Sequence, residues 1–268
     1  MTNAFAQETQ ARILENANST EMVKAARDFM RASTQPRYSY NFSALGRPII
    51  QYPQDMVAMQ ELIWSIKPDL IVETGIAHGG SLIMSASMLA LIDYCEAVEQ
   101  GKVLDPKASS RMVLGVDIDI RAHNRAAILE HPMAHKIKMI QGSAISPEIV
   151  QQVHEIAKPY KKILVCLDSN HTHDHVLEEL RAYAPLASHG SYCVAFDTIV
   201  EDLPAGMYPE RPWDVGNNPK TAVFSYLKEL RAKEHMGSDH TKLMFEIDKA
   251  IDNKILISVA PDGYLRRV

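Results

Sequence analysis

The stretch Asp69-Leu-Ile-Val-Glu-Thr-Gly-Ile-Ala-His-Gly-Gly-Ser81 constrains the fold more than any other: a short apolar run ends in an acid, turns through glycines and enters a helix. A buried strand that feeds a helix through a tight turn is the opening unit of a parallel α/β sheet. Gly75, Gly79 and Gly80 let the backbone bend sharply and approach a ligand with no Cβ in the way, and a helix opening near Ser81 points free N–H groups at whatever lies above the turn. The spacing Gly75-x-x-x-Gly79-Gly80 lacks the G-x-G start that brings backbone up to a pyrophosphate. Glu73, just before the turn, would repel phosphates but receive a cation. The turn is therefore expected to bind S-adenosylmethionine rather than NAD, with Glu73, Thr74, Gly75, Gly79 and Ser81 as contacts.

The 268 residues contain no internal repeat or low-complexity tract, which suits one α/β domain with an appendage. Residues 1–53 read as an N-terminal helical appendage and connector, helical over 3–32 and extended over 35–53. Residues 54–268 read as the main domain, opening on an amphipathic helix over 54–66. Strands are expected at 69–73, 112–117, 136–141, 162–168, 191–197, 243–247 and 255–259, with helices after most of the first five. The last two, joined by the short turn Lys249 to Lys254, should form an antiparallel edge hairpin. The result is a doubly wound, Rossmann-like sheet of seven strands with the last antiparallel, the class I methyltransferase arrangement.

A net charge of -5 with dispersed acids argues against a nucleic-acid partner. Neither a leader-like start nor an apolar run of spanning length is evident, so a cytoplasmic protein with no membrane span is expected, working as a homo-oligomer. Cys95, Cys166 and Cys193 form no C-x-x-C pair and read as structural.

In such a sheet, ligands lie beyond the carboxyl ends of the strands. Asp117, ending the second strand, can accept hydrogen bonds from both ribose hydroxyls, with Asp119 as its competitor. Ser143, after the third strand, can approach the adenine; a helix N-cap at Ser143 or Ser146 is the alternative. The fourth strand ends in Asp168-Ser-Asn-His171-Thr-His173-Asp174-His175 and the fifth in Phe196-Asp197-Thr198. Asp168 and Asp197, on neighbouring strand ends, suit a hard divalent cation such as Mg²⁺, or Mn²⁺ in its place. His171, one turn before His175 on a common helix face, is close enough to act as general base, with Asp168 as its catalytic neighbour. His173 reads as solvated; the alternative is that Asp168 and His171 only cap the next helix, with His175 solvated too.

Glu73-Thr-Gly-Ile-Ala-His-Gly-Gly-Ser81, Leu167-Asp-Ser-Asn-His-Thr-His-Asp-His175, Tyr183-Ala-Pro-Leu with Gly190-Ser-Tyr192, and Gly263-Tyr-Leu-Arg-Arg267 resemble the cephalosporin hydroxylase and rhamnosyl O-methyltransferase family, over roughly residues 35–268. The resemblance implies a class I fold, S-adenosylmethionine, Mg²⁺ and a place in glycan or antibiotic tailoring. It also implies a metal held by an aspartate after the fourth strand and an acidic pair after the fifth. These positions correspond to Asp168 and to Phe196-Asp197, so the first acid of the pair is lost, and Thr198, water, Glu201 or Asp202 is left to complete the shell. The depleted pair makes Asp168 the more critical of the two aspartates. Related sugar methyltransferases carry a base histidine three residues after the metal aspartate, which matches His171.

The Glu201 to Pro219 segment, rich in proline and glycine, reads as a lid in which Tyr208 and Trp213 stack on a sugar and Arg211 binds an acidic group. The expected function is a Mg-assisted, S-adenosylmethionine-dependent O-methyltransferase acting on a sugar hydroxyl or glycosylated small metabolite. A non-heme iron hydroxylase and a non-catalytic cofactor-binding partner subunit are the alternatives.

Overall fold

The computed structural model describes residues 3–268. Two helices come first, α1 (Asn3–Asn18) and α2 (Thr20–Thr34). They replace the single helix expected over 3–32, because the Ser19 side chain accepts from the Met22 amide at 3.3 Å and so starts a new helix. The connector then makes a small hairpin, β1 (Phe42–Ala44) with β2 (Arg47–Ile49). Next is α3 (Pro53–Ile66), with proline in its first turn and Lys67 left-handed at its end. The main sheet follows as β3 (Leu70–Thr74), α4 (Gly80–Glu99), β4 (Met112–Asp117), α5 (Ala122–Leu129), β5 (Ile137–Gln141), α6 (Pro147–Ala157), β6 (Ile163–Leu167), α7 (His173–Tyr183), β7 (Tyr192–Ala195), α8 (Pro219–Ala232), β8 (Phe245–Ile247), α9 (Lys249–Ile255) and β9 (Tyr264–Arg267).

The order across the sheet is β5-β4-β3-β6-β7-β9-β8, with β9 antiparallel to both neighbours. This is the doubly wound, seven-stranded class I methyltransferase sheet with its last strand reversed. Every residue of β3, β6 and β7 is buried, as expected of strands covered on both faces. Each large apolar side chain so buried contributes about 1.5–3 kcal/mol. One helix, α4, is long and apolar enough to cross a membrane by length and composition alone. Its Leu82, Ile83, Ala86, Leu89 and Ile92 are buried in the core instead.

The last strand is not where the sequence placed it. Residues 249–254 lie in α9, begun by Asp248 accepting from the Ala250 amide at 3.0 Å, and 255–259 is not a strand. The run Ile255-Leu-Ile-Ser-Val259 is apolar enough for a strand, but Leu256 sits at φ +56 and the polar groups that follow turn elsewhere. The Val259 amide and the Ser258 hydroxyl donate to the buried Asp55 at 2.9 and 2.6 Å. Tyr264, at the start of the real strand, donates to the same carboxylate at 3.0 Å. Burial pushes the Asp55 carboxyl up to about 6 against these three donors.

Strand order reverses at β3 and β6, so the loops after them part and open a crevice. Gly75 sits in that crevice at φ +88, and a Cβ there would run into the backbone carbonyl of Asp168. Gly75→Ala is expected to cost at least about 2 kcal/mol, from left-handed backbone strain plus displacement of the Asp168 loop. A denaturant midpoint equal to wild type would refute this.

Candidate active site

A cavity of about 680 Å³ occupies the crevice. Gly75, Ser81 and Asp117 form one side of its wall, Asp168, His171 and Asp197 another, and Tyr208, Arg211 and Trp213 the cover. The Asp117 carboxylate accepts from the amides of Ile76 at 2.7 Å and Ala77 at 3.2 Å, so it braces the glycine turn from the neighbouring strand. Glu73 lies below the turn, buried, and accepts from the Ser85 hydroxyl at 2.6 Å; burial raises its pKa. It lines a smaller adjoining pocket with Thr74, Gly75, Ser81 and Asp168. Gly79 is not on the cavity wall; its positive φ and its packing against Ile128 serve the turn itself. Ser143 is also off the wall, where its carbonyl accepts from the Ser146 amide at 3.0 Å and closes the turn into α6.

The ligand atoms of Asp168, His171 and Asp197 lie within 4.8 Å of one another. Asp197 follows β7 at φ +55, a conformation that aspartate tolerates better than most residues, and its carboxylate meets His171 Nδ1 at 2.8 Å. Among the described residues, Nε2 of the same ring has no hydrogen-bond partner. Burial alone would depress the His171 pKa, but the Asp197 charge and hydrogen bond outweigh it and raise it to about 9. Burial, followed by repulsion from Asp197, holds Asp168 well above the usual carboxylate range. Two carboxylates and a histidine so placed form a donor set that could hold a divalent cation.

His171 is not on α7, as the sequence suggested; the helix starts at His173, so His171 belongs to the loop and is aimed by Asp197 rather than by helical spacing. His173 and His175 are not solvated. Nδ1 of His173 meets the Thr221 hydroxyl at 2.8 Å, and Nε2 of His175 meets the Ser169 hydroxyl at 3.1 Å. A triad of two histidines and one carboxylate is therefore not assembled in the cavity.

The side chains expected to replace the lost acid at Phe196 are also engaged elsewhere. Thr198 donates to the Pro261 carbonyl at 2.6 Å, Glu201 accepts from the Gly216 amide at 2.8 Å, and Asp202 pairs with Lys220 at 2.5 Å. Phe196 itself is buried in the core. In the lid, Trp213 packs against the His171 ring with centroids 4.7 Å apart, and the Arg211 guanidinium lies 5.1 Å over the Trp213 ring.

The family model for rhamnosyl O-methyltransferase/CmcI matches residues 36–268. The chain belongs to that family. Rhamnosyl O-methyltransferase of Mycobacterium tuberculosis (strain ATCC 25618 / H37Rv) is 28% identical over 214 residues, spanning 80% of this chain and 73% of that protein. The protein of the same name from Mycobacterium leprae (strain TN) is 27% identical over 224 residues, spanning 83% and 82%. A CmcI apo-structure shares the fold at a TM-score of 0.50 and 17% identity, over 85% of this chain and 77% of that one.

In this family member the sequence reading missed the near wall. Thr34, Arg37, Tyr40, Ile49 and Gln51, all from α2 or the connector, line the same cavity. Arg47 donates to the His78 carbonyl through Nε at 3.0 Å and Nη2 at 2.7 Å, pinning the β1-β2 hairpin to the glycine turn. The tyrosines of the connector were the available signal, since exposed linkers seldom carry several aromatic residues.

Proposed function

We propose that this protein transfers the methyl group of S-adenosylmethionine to a hydroxyl of a sugar or glycosylated small molecule, assisted by Mg²⁺ or Mn²⁺ at Asp168 and Asp197. The observation that carries the reading is the meeting, in one cavity, of the Gly75 turn with Asp168, Asp197 and an outward-facing His171. The names of the mycobacterial relatives support the sugar hydroxyl.

The residues divide the work as follows. The Gly75 turn and the start of α4 receive the cofactor, and Asp117 takes its ribose. Glu73 supplies negative charge beneath the turn. The cofactor provides a methyl group on a positively charged sulfur, and the cation lowers the pKa of the acceptor hydroxyl. Asp197 fixes the His171 ring through Nδ1, so Nε2 is the atom that takes the hydroxyl proton as the O–CH₃ bond forms and the S–CH₃ bond breaks. A cation held by Asp168 and Asp197 would offset the carboxylate charge that raises the His171 pKa, and so would favour the neutral ring. Trp213 and Tyr208 present flat faces to the sugar, and Arg211 stands ready for an acidic substituent.

The test is methyl transfer to a panel of rhamnosyl and other glycosides, with and without chelator. Transfer that stops on chelation and returns with Mg²⁺ or Mn²⁺ is expected. Full activity after thorough chelation would remove the metal. Cofactor binding without transfer to any glycoside would instead favour a partner subunit, and 2-oxoglutarate turnover with iron a hydroxylase. Calorimetry with S-adenosylhomocysteine checks the ribose contact: Asp117→Ala is expected to lose about 1.5–3 kcal/mol of binding, because hydrogen bonds to a charged acceptor are removed. An unchanged affinity would move that role elsewhere.

A further inference from the structure

The family resemblance implies a carboxylate where this chain has Phe196, so the cation of the proposed reaction would be one ligand short, and the structure offers a candidate from an unexpected direction. Gln51 follows the β1-β2 hairpin and is more than nine-tenths buried. Its Nε2 reaches Asp168 Oδ2 at 3.5 Å, the outer limit of a hydrogen bond, and among the described residues its Oε1 has no partner. A buried amide oxygen without a partner costs about 1–3 kcal/mol and calls for an explanation.

Position supplies one. Gln51 lines both the main cavity and the small pocket below it, and in that small pocket it stands with Asp168 and Phe196. The segment that carries Gln51 is held firmly. Arg47 grips the His78 carbonyl, and Pro48 and Ile49 pack so tightly on Gly80 that a Cβ there would collide with them. Half a turn about the terminal torsion exchanges the two ends of the amide and brings the oxygen toward Asp168, an arrangement that a cation between the two oxygens would stabilise. An amide carbonyl is an ordinary hard-cation ligand.

We propose that Gln51 Oε1 is a ligand of the divalent cation, taking the place of the carboxylate that Phe196 has removed. The hairpin then belongs to the metal site as well as to the cavity wall. The inference rests on the metal part of the proposed function, and a direct binding measurement separates the two.

The measurement is Mn²⁺ titration of the intact protein followed by electron paramagnetic resonance, with S-adenosylhomocysteine affinity recorded in parallel. Gln51→Leu is expected to weaken Mn²⁺ binding about tenfold or more with cofactor affinity unchanged. Gln51→Glu restores a carboxylate and is expected to bind Mn²⁺ more tightly than wild type, which also guards against a folding defect in the leucine variant. Asp168→Asn serves as the reference for losing an undisputed ligand. If Mn²⁺ binds to wild type, fails in Asp168→Asn and is unaffected in Gln51→Leu, the role of Gln51 is overturned while the metal reading stands. Equal losses of Mn²⁺ and cofactor affinity in Gln51→Leu also overturn it. If wild type binds no Mn²⁺, both fall.

Discussion

His171→Ala is expected to lower the turnover of methyl transfer by about a hundredfold or more at neutral pH, the usual contribution of a positioned general base. Cofactor affinity should stay near wild type, because the ring packs against Trp213 and meets Asp197, whereas the glycine turn is braced by Asp117. Removing the ring also removes the Trp213 contact, so some loss of acceptor affinity accompanies the loss of turnover. The diagnostic quantity is therefore kcat at saturating acceptor. His173→Ala supplies the contrast: that side chain is bonded to Thr221 and should leave kcat almost unchanged. Equal losses in the two variants, or loss of cofactor binding in His171→Ala, would remove His171 from the role of base.

The second large effect is expected at Asp197. The sequence argument ranked it below Asp168, as the survivor of a depleted acidic pair. The 2.8 Å contact to His171 Nδ1 adds a second task to Asp197 in the proposed mechanism, where one carboxylate would both face the cation and orient the base. Asp197→Asn keeps the size of the side chain but can present its N–H to the ring and favour the wrong tautomer. In hydrolytic triads the matching change costs about 10⁴ in kcat, and a loss of about 10³ or more is expected here. The double variant His171→Ala/Asp197→Asn should be scarcely worse than the poorer single one, because residues that act as a unit do not add. Fully additive losses would mean that Asp197 acts on the cation alone, with His171 independent of it.

Much of this was legible along the chain because local chemistry dictated it. The apolar run into Glu73 and the glycines could form little else than a strand, a tight turn and a helix, and five alternating strand-helix units placed the strand-end residues Asp117, Asp168 and Asp197 at one edge of the sheet. Where the expectation failed, long-range polar bonding had overridden periodicity. Residues 255–259 form an apolar run of strand composition, yet the amide of Val259 and the hydroxyl of Ser258 go to Asp55, some two hundred residues earlier in sequence, and the strand forms at Tyr264 instead.

The site divides in the same way. Residue types at strand ends are a property of the sequence, because a parallel sheet brings those ends together whatever the loops do. By itself, therefore, the sequence determined the sheet, the glycine turn and the two aspartates. Which neighbour each side chain faces was decided only by the tertiary structure. It took His171 off the helix and set it against Asp197, turned His173 and His175 to Thr221 and Ser169, engaged Thr198, Glu201 and Asp202 elsewhere, and folded the connector back so that Gln51 met Asp168. The physical reason is that these contacts join segments far apart in sequence. Their energies depend on burial and on which hydrogen-bond partners remain free, and no local pattern encodes either.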